Sequence, residues 1–118
     1  MTVYVKEGAN TVLAGLTNMK AAMIEDYVGF MPPKDEVRKK MCEEYENNFT
    51  ITYGKKYIKI TEKGGGVKAF VVGVDNDKVF KKGDILKPAG YNAPARNAAR
   101  GNILDGGYPI NWTGPLYL

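Results

Sequence analysis

The sequence predicts an α+β domain: two amphipathic helices packed on a small, bent, mostly antiparallel sheet, closed by a Gly/Pro-rich C-terminal tail. The sheet is expected to be a meander or a partial barrel. Three observations predict this. Apolar residues recur every three or four positions up to about residue 47, then at every second position from Phe49. Residues 88–118 mix Gly, Pro and Asn with side chains too apolar for a disordered tail. At 118 residues, with no internal repeat, the chain is one domain over 1–118. Its helical half is 1–48, and its β half with the closing tail is 49–118.

The elements follow in order. Residues 2–6 alternate weakly and suit a strand at a sheet edge. Over 11–31, Val12, Leu16, Met19, Met23, Tyr27 and Phe30 form one helix face, with Thr17 as an N-cap should the helix start late. Pro32 and Pro33 end it, because the residue before a proline is pushed out of the α region. A second helix is expected over 34–47, with Asp35 and Glu36 in its first turn, where the helix dipole favours acids. Asp35 with Lys39, and Glu36 with Lys40, are spaced as i, i+4 ion pairs. Val37, Met41 and Tyr45 form its predicted buried stripe, with Cys42 beside it as a small core or boundary residue.

Strands are then expected at 49–53, 57–61 and 67–74, the last two joined by a loop at Lys63, Gly64, Gly65 and Gly66. Phe70 and Val72 should face one side, and Ala69 and Val71 the other. Asp75, Asn76 and Asp77 form a turn, Val79 and Phe80 a short strand, and 84–87 a further strand ending at Pro88. Pro94 opens a short predicted helix through Arg100 with Gly101 as its C-cap. Tyr108, Ile110, Trp112, Leu116 and Tyr117 are expected to wrap back and close the core.

Composition excludes much chemistry. The chain has no His, Ser or Gln. That removes Ser-His-Asp triads, Cys-His pairs, the histidine base and every zinc site that needs His. Cys42 is the sole cysteine, so no intrachain disulfide forms, and the chain suits a reducing compartment. The run from Asp75 to Asp84 lacks the glycine and distal glutamate of a calcium loop. The glycines at 64–66 lack the P-loop ending. No enzyme, cofactor or metal is therefore expected. The first residues have no apolar signal region, and no run is long enough to cross a membrane.

Charge is uneven. Residues 1–48 carry 6 basic and 8 acidic side chains, a net of −2, whereas 49–118 carry 11 basic and 5 acidic, a net of +6. Basic residues interleave with aromatics in that β half. Lys55, Lys56, Tyr57 and Lys59 share a strand, Lys81 and Lys82 share a turn, and Tyr91 follows. Arg96 and Arg100 fall one turn apart on the predicted short helix. Such a surface suits a phosphate backbone, with tyrosines stacking on bases. Outward Lys and Tyr are equally what an antiparallel sheet places on its wet face.

Residues 83–102, G-D-I-L-K followed by A-P-A and R-G-N, carry a resemblance. Together with strands such as 55–60 and 69–72, they resemble small uncharacterised proteins encoded by tailed bacteriophages, marine and cyanobacterial ones among them. The likeness covers about residues 50–118, and Tyr91 stands where those proteins are expected to have tryptophan. It implies a viral origin and supplies no catalytic residue. The physical reading of the motif is a tight turn at Gly83 capped by Asp84, with Arg100 either clamping tail carbonyls or meeting a partner. The leading expectation is a non-enzymatic accessory or binding protein in the cytoplasm of an infected host, meeting a host protein. The alternatives are a nucleic-acid-binding module using the basic β half, and a virion or homo-oligomeric structural protein.

Overall fold

Thr11 starts the long helix. In the computed structural model, which describes residues 2–64 and 66–116, its side chain accepts from the Ala14 N–H at 3.1 Å, and α1 runs Val12–Phe30. Thr17 is not a cap, since its hydroxyl donates to the Leu13 carbonyl from within the helix. Leu16, Met19 and Met23 all fall on the buried stripe, as the spacing requires. Helix α2 is Glu36–Asn47. Asp35 is its N-cap rather than a first-turn residue: it accepts from the Arg38 N–H and pairs with the Arg38 guanidinium at i, i+3, not with Lys39. The predicted stripe on α2 is also corrected. Tyr45 is buried, but Val37 is 70% and Met41 37% exposed, because α2 meets the rest of the fold mainly through its C-terminal end. The Cys42 thiol sits half-buried and donates to the Met31 carbonyl.

The strands are β1 (Val3–Val5), β2 (Phe49–Tyr53), β3 (Tyr57–Glu62), β4 (Gly66–Val72), β5 (Ile85–Leu86), β6 (Tyr108–Asn111) and β7 (Gly114–Pro115). They form two antiparallel sheets, β2-β3-β4-β5 and β1-β6-β7, which do not close into a barrel. The tail closes the core as predicted, by pairing β6 with β1. Gly65 and Tyr117 lie outside the described residues.

Strand β4 is buried on both faces. Ala69 and Val71 join Ile58, Ile60, Ile85, Ile110 and the α1 stripe, while Phe70 and Val72 join Leu86 and Phe80 in a second cluster. The predicted alternation is thus correct. The pairing slips between Ile60 and Thr61, leaving Lys68 as the extra residue of a bulge. At the junction of the two sheets Gly114 has φ +118, and a Cβ there would overlap the Lys68 carbonyl oxygen. Only glycine lets β7 approach β4 so closely.

Two expectations for the second half fail. Val79 and Phe80 form no strand: Val79 is 72% exposed, and Phe80 folds inward as a plug for the second cluster. Residues 94–100 form no helix either. The Ala95 N–H donates to the Lys87 carbonyl, the Arg100 N–H to the Ile85 carbonyl, and the Ile85 N–H to the Gly101 carbonyl, at 2.7, 2.7 and 2.8 Å. Pro94 bridges Pro88. The segment runs alongside β5, so Arg96 and Arg100 are not on one helical face.

Candidate nucleic-acid interface

The face of the larger sheet away from α1 carries the row Thr52, Lys59, Phe70 and Leu86, set by direct cross-strand pairing. Tyr57 lies beside Val72 in the next row. The loop at 77–80 covers one end of this face and the connector 88–97 runs past the other. Three cavities lie along the connector and are together termed the trough: the second and third share Val67 and Pro88, and the first is linked to the second through the Lys59–Tyr91 contact and the adjacent Asn92.

The first cavity, about 210 Å³, is lined by Lys55, Lys56, Tyr57, Lys59, Phe70 and Asn92 among others. Lys59 marks its boundary with the next: its Nζ lies 4.1 Å from the Tyr91 ring centroid and donates to Asn92 Oδ1 at 3.2 Å. Tyr91, 65% exposed, forms a wall of the second cavity with Val67 and Pro88. Val67 and Pro88 also line the third, about 410 Å³, together with Lys68, Lys87, Asn97 and Arg100. Among the described residues, five lysines and one arginine stand across the three linings, with no Asp or Glu.

Not every cation there is available. Asp77 Oδ2 takes Arg96 Nη1 and Lys56 Nζ, each at 3.0 Å, while Oδ1 takes Arg96 Nη2 and the Val79 and Phe80 N–H groups. Arg96 Nη1 also donates to the Tyr57 hydroxyl, and the guanidinium lies 4.9 Å from the Phe80 ring centroid. The Arg96 bonds, then those two backbone groups and Lys56, hold the Asp77 carboxyl well below the usual carboxylate range. The same contact raises the Arg96 pKa. Arg96 and Lys56 thus anchor the 77–80 loop to β3. The sequence identified Asp77 only as a turn former and missed this hub.

The predicted site residues therefore divide. Lys55, Lys56, Tyr57, Lys59 and Tyr91 come together at one end of the trough, and Arg96 braces that end through Asp77. Arg100 stands at the other end. Lys81 and Lys82 line no part of the trough: they pair with Asp105 at 2.5 Å and with Asp75 at 4.0 Å, and the Asp105 bond raises the Lys81 pKa.

Lys87 and Lys68 were missed. Lys68 carried no signal in the sequence, since its place depends on the bulge. Lys87 stands inside the G-D-I-L-K run but reads there as an ordinary strand residue. Its Nζ donates to the Pro115 carbonyl at 2.5 Å, so the tail clamp is Lys87 rather than Arg100. Burial, and then the Arg100 charge, pull the Lys87 pKa down. Arg100 Nε and Nη1 are sealed from solvent and have no hydrogen-bond partner.

The rest of the motif is structural. Asn102 Nδ2 donates to Asp84 Oδ1 at 2.9 Å and to the Lys82 carbonyl at 3.0 Å. Its Oδ1 accepts from the Leu104 and Asp105 N–H groups, and Asp84 Oδ2 accepts from the Lys81 N–H. Both residues are buried and together clasp two loops. Gly101 sits at φ +150, where a Cβ would overlap Tyr108.

Among the described residues, no group of three or more His, Cys, Asp or Glu could hold a metal ion, and no helix is long and apolar enough to cross a membrane. No curated protein and no solved structure matches the chain. One family model does, over residues 4–117, a span that takes in both helices, the larger sheet, the clasp and the cavities. The chain belongs to that family, DUF7717, a family of unknown function.

Proposed function

We propose that the protein is a phage-derived, non-enzymatic binding protein that holds single-stranded nucleic acid along the trough, in the cytoplasm of an infected bacterium. The viral origin rests on the motif in residues 83–102. The binding reading is carried by one observation: three neighbouring cavities lined by five lysines and one arginine, with no Asp or Glu among the described residues and with Tyr57 and Tyr91 between the charges. Nonspecific single-strand binders combine a basic groove that tracks the backbone with rings on which bases stack. Scattered solubilising lysines would stand exposed beside acids, as Lys81 and Lys82 do here.

The test is fluorescence anisotropy with a labelled oligothymidylate. Affinity is expected to be micromolar or tighter. If four trough cations meet phosphates, log affinity against log salt should have a slope of about −3. Lys55→Glu with Lys59→Glu should weaken binding by at least about tenfold. No binding at low salt, or an affinity untouched by that double reversal, overturns the reading.

A further inference from the structure

The larger sheet treats its two edges differently. At one edge the Val72 N–H donates to the Asp84 carbonyl, so Ile85, the next residue, turns its own N–H and C=O away from β4. The connector takes both groups: the Ile85 N–H donates to the Gly101 carbonyl, and the Arg100 N–H donates to the Ile85 carbonyl. At the other edge the register of β2 on β3 is fixed at its two ends, where the Gly54 N–H donates to the Tyr57 carbonyl and the Lys63 N–H to the Asn48 carbonyl. The ladder alternates, so Thr50 and Thr52 face Thr61 and Lys59 with their backbone groups. Phe49, Ile51 and Tyr53 therefore point their N–H and C=O groups outward. Among the described residues, nothing hydrogen-bonds to them there. Natural proteins blunt such an edge with a charge, a proline, a bulge or a cover. Strand β2 reads F-T-I-T-Y, with no charge, no proline and an unbroken register, and Thr50, Thr52 and Tyr53 are exposed.

We infer that this bare edge docks a second copy of the chain, the two β2 strands pairing antiparallel about a twofold axis at Ile51. The occupant follows from the strand itself. Only Phe49, Ile51 and Tyr53 offer outward groups, so these must face one another. Centring on Ile51 uses all three, pairing Ile51 with its counterpart and Phe49 with Tyr53 of the second copy, for about six backbone hydrogen bonds. The side chains match too. Phe49 comes beside Tyr53, Thr50 beside Thr52 and Ile51 beside Ile51, which are aromatic, hydroxyl and β-branched pairs that favour a sheet. The same register sets Lys55 of one copy opposite Asn47 of the other, the last residue of α2. The end of α2 holds Glu44 and Glu46 and no basic residue, so a lysine there meets acids and the negative end of the helix dipole. Among the described residues, neither Lys55 nor Glu46 has an ion-pair partner. Assembly also stops at two copies. The two four-stranded sheets join into one, and each of its outer edges is a β5 already taken by its connector. The axis stands perpendicular to the sheet, so both troughs open on the same face. That use of the dimer rests on the function proposed above, whereas the pairing does not.

The experiment is sedimentation equilibrium on the full chain, paired with amide hydrogen exchange. The mass should double, and rise no further, as concentration increases through the micromolar range. Once it has doubled, exchange should slow at alternate residues of β2. The Ile51 and Tyr53 N–H groups should gain at least about tenfold protection, while Thr50 and Thr52, already bonded to β3, keep what they have. Tyr53→Pro should weaken the dimer at least about tenfold, because it removes an outward donor on each side of the axis at an edge position where proline is tolerated. A monomer at every concentration, a mass that grows beyond two copies, or a dimer whose Ile51 and Tyr53 amides still exchange fast overturns the pairing, and none of these needs the variant. A folded Tyr53→Pro chain that dimerises unchanged overturns it as well. A chain that dimerises through β2 but binds no oligothymidylate keeps the pairing and overturns the proposed function instead.

Discussion

Two clusters of aromatic and charged side chains lie on opposite sides of the larger sheet, and they use the same residue types to opposite ends. At the junction of α1, α2 and the tail, Tyr27 stacks on Tyr45 with ring centroids 4.2 Å apart, and Trp112 meets both edge-on. Polar groups there are satisfied internally. The Tyr45 hydroxyl donates to the Trp112 carbonyl at 2.7 Å, the Trp112 N–H to Asp26 at 2.8 Å, and Lys68 pairs with Glu62. Burial raises the Tyr45 pKa, with the nearby Glu62 charge adding to it. In the trough, by contrast, Tyr91 is open to solvent and, among the described residues, no Asp or Glu lines the walls. Rings whose polar partners are already supplied hold the fold together, whereas an exposed ring such as Tyr91 with Lys59 over its face is open to a ligand.

This contrast breaks down if the junction proves dispensable or the trough proves structural. Trp112→Ala should have the largest effect on stability. Removing a ring that bridges the tail to both helices should cost about 3–5 kcal/mol in urea denaturation. Asn102→Ala comes next: it strands the Leu104 and Asp105 N–H groups and the Asp84 carboxylate, for about 2–3 kcal/mol. Asp77→Asn probes the brace of the trough through pH. The folded Asp77 pKa lies below its unfolded value, so its stabilisation is complete above about pH 4 and is lost as pH falls below that. The variant should therefore lose stability at neutral pH and show a flatter acid limb than the wild type. Tyr91→Ala should have the smallest effect on folding, within about 0.5 kcal/mol, because the ring is an exposed surface group. It should nevertheless weaken oligothymidylate binding by about fivefold or more through lost stacking. A Tyr91 variant that unfolds, or that binds unchanged, would erase the distinction between the two clusters.

The sequence made the first helix and the central strands legible because their periodicity reports burial directly. Leu16, Met19 and Met23 repeat at helical spacing, and Ala69 to Val72 alternate into two clusters, as expected. The failures have one physical cause: partners far away in sequence. Residues 94–100 have helical composition, with three alanines and a proline at the first position, yet their N–H groups go to Lys87 and Ile85. Tertiary hydrogen bonds beside β5 outweigh a propensity difference of tenths of a kcal/mol per residue. Val37 and Met41 fit a helical stripe, but nothing in a local pattern says which elements lie opposite. Of the site, Lys59 on β3, Lys55 and Lys56 in the bend just before it rather than on the strand, and Tyr91 were visible as interleaved charge and aromatic character. Asp77 as a hub, Lys87 as a tail clamp and Lys68 at a bulge were not, since each depends on folding the loops onto the sheet.

The pairing of β1 with β6 bears on the order of folding. The Tyr4 hydroxyl reaches the Gly107 carbonyl across 103 residues of chain. At roughly 5–20 residues per second, a ribosome makes β6 on the order of ten seconds after β1. During that interval β2–β4 can assemble as local hairpins, but Val5 and part of the α1 stripe have no tail to bury them. The three-stranded sheet is thus a late, high-contact-order event. A nascent chain therefore spends this time with apolar surface open to chaperones and proteases, and arrival of the Trp112 segment over Asp26 marks the moment that exposure ends.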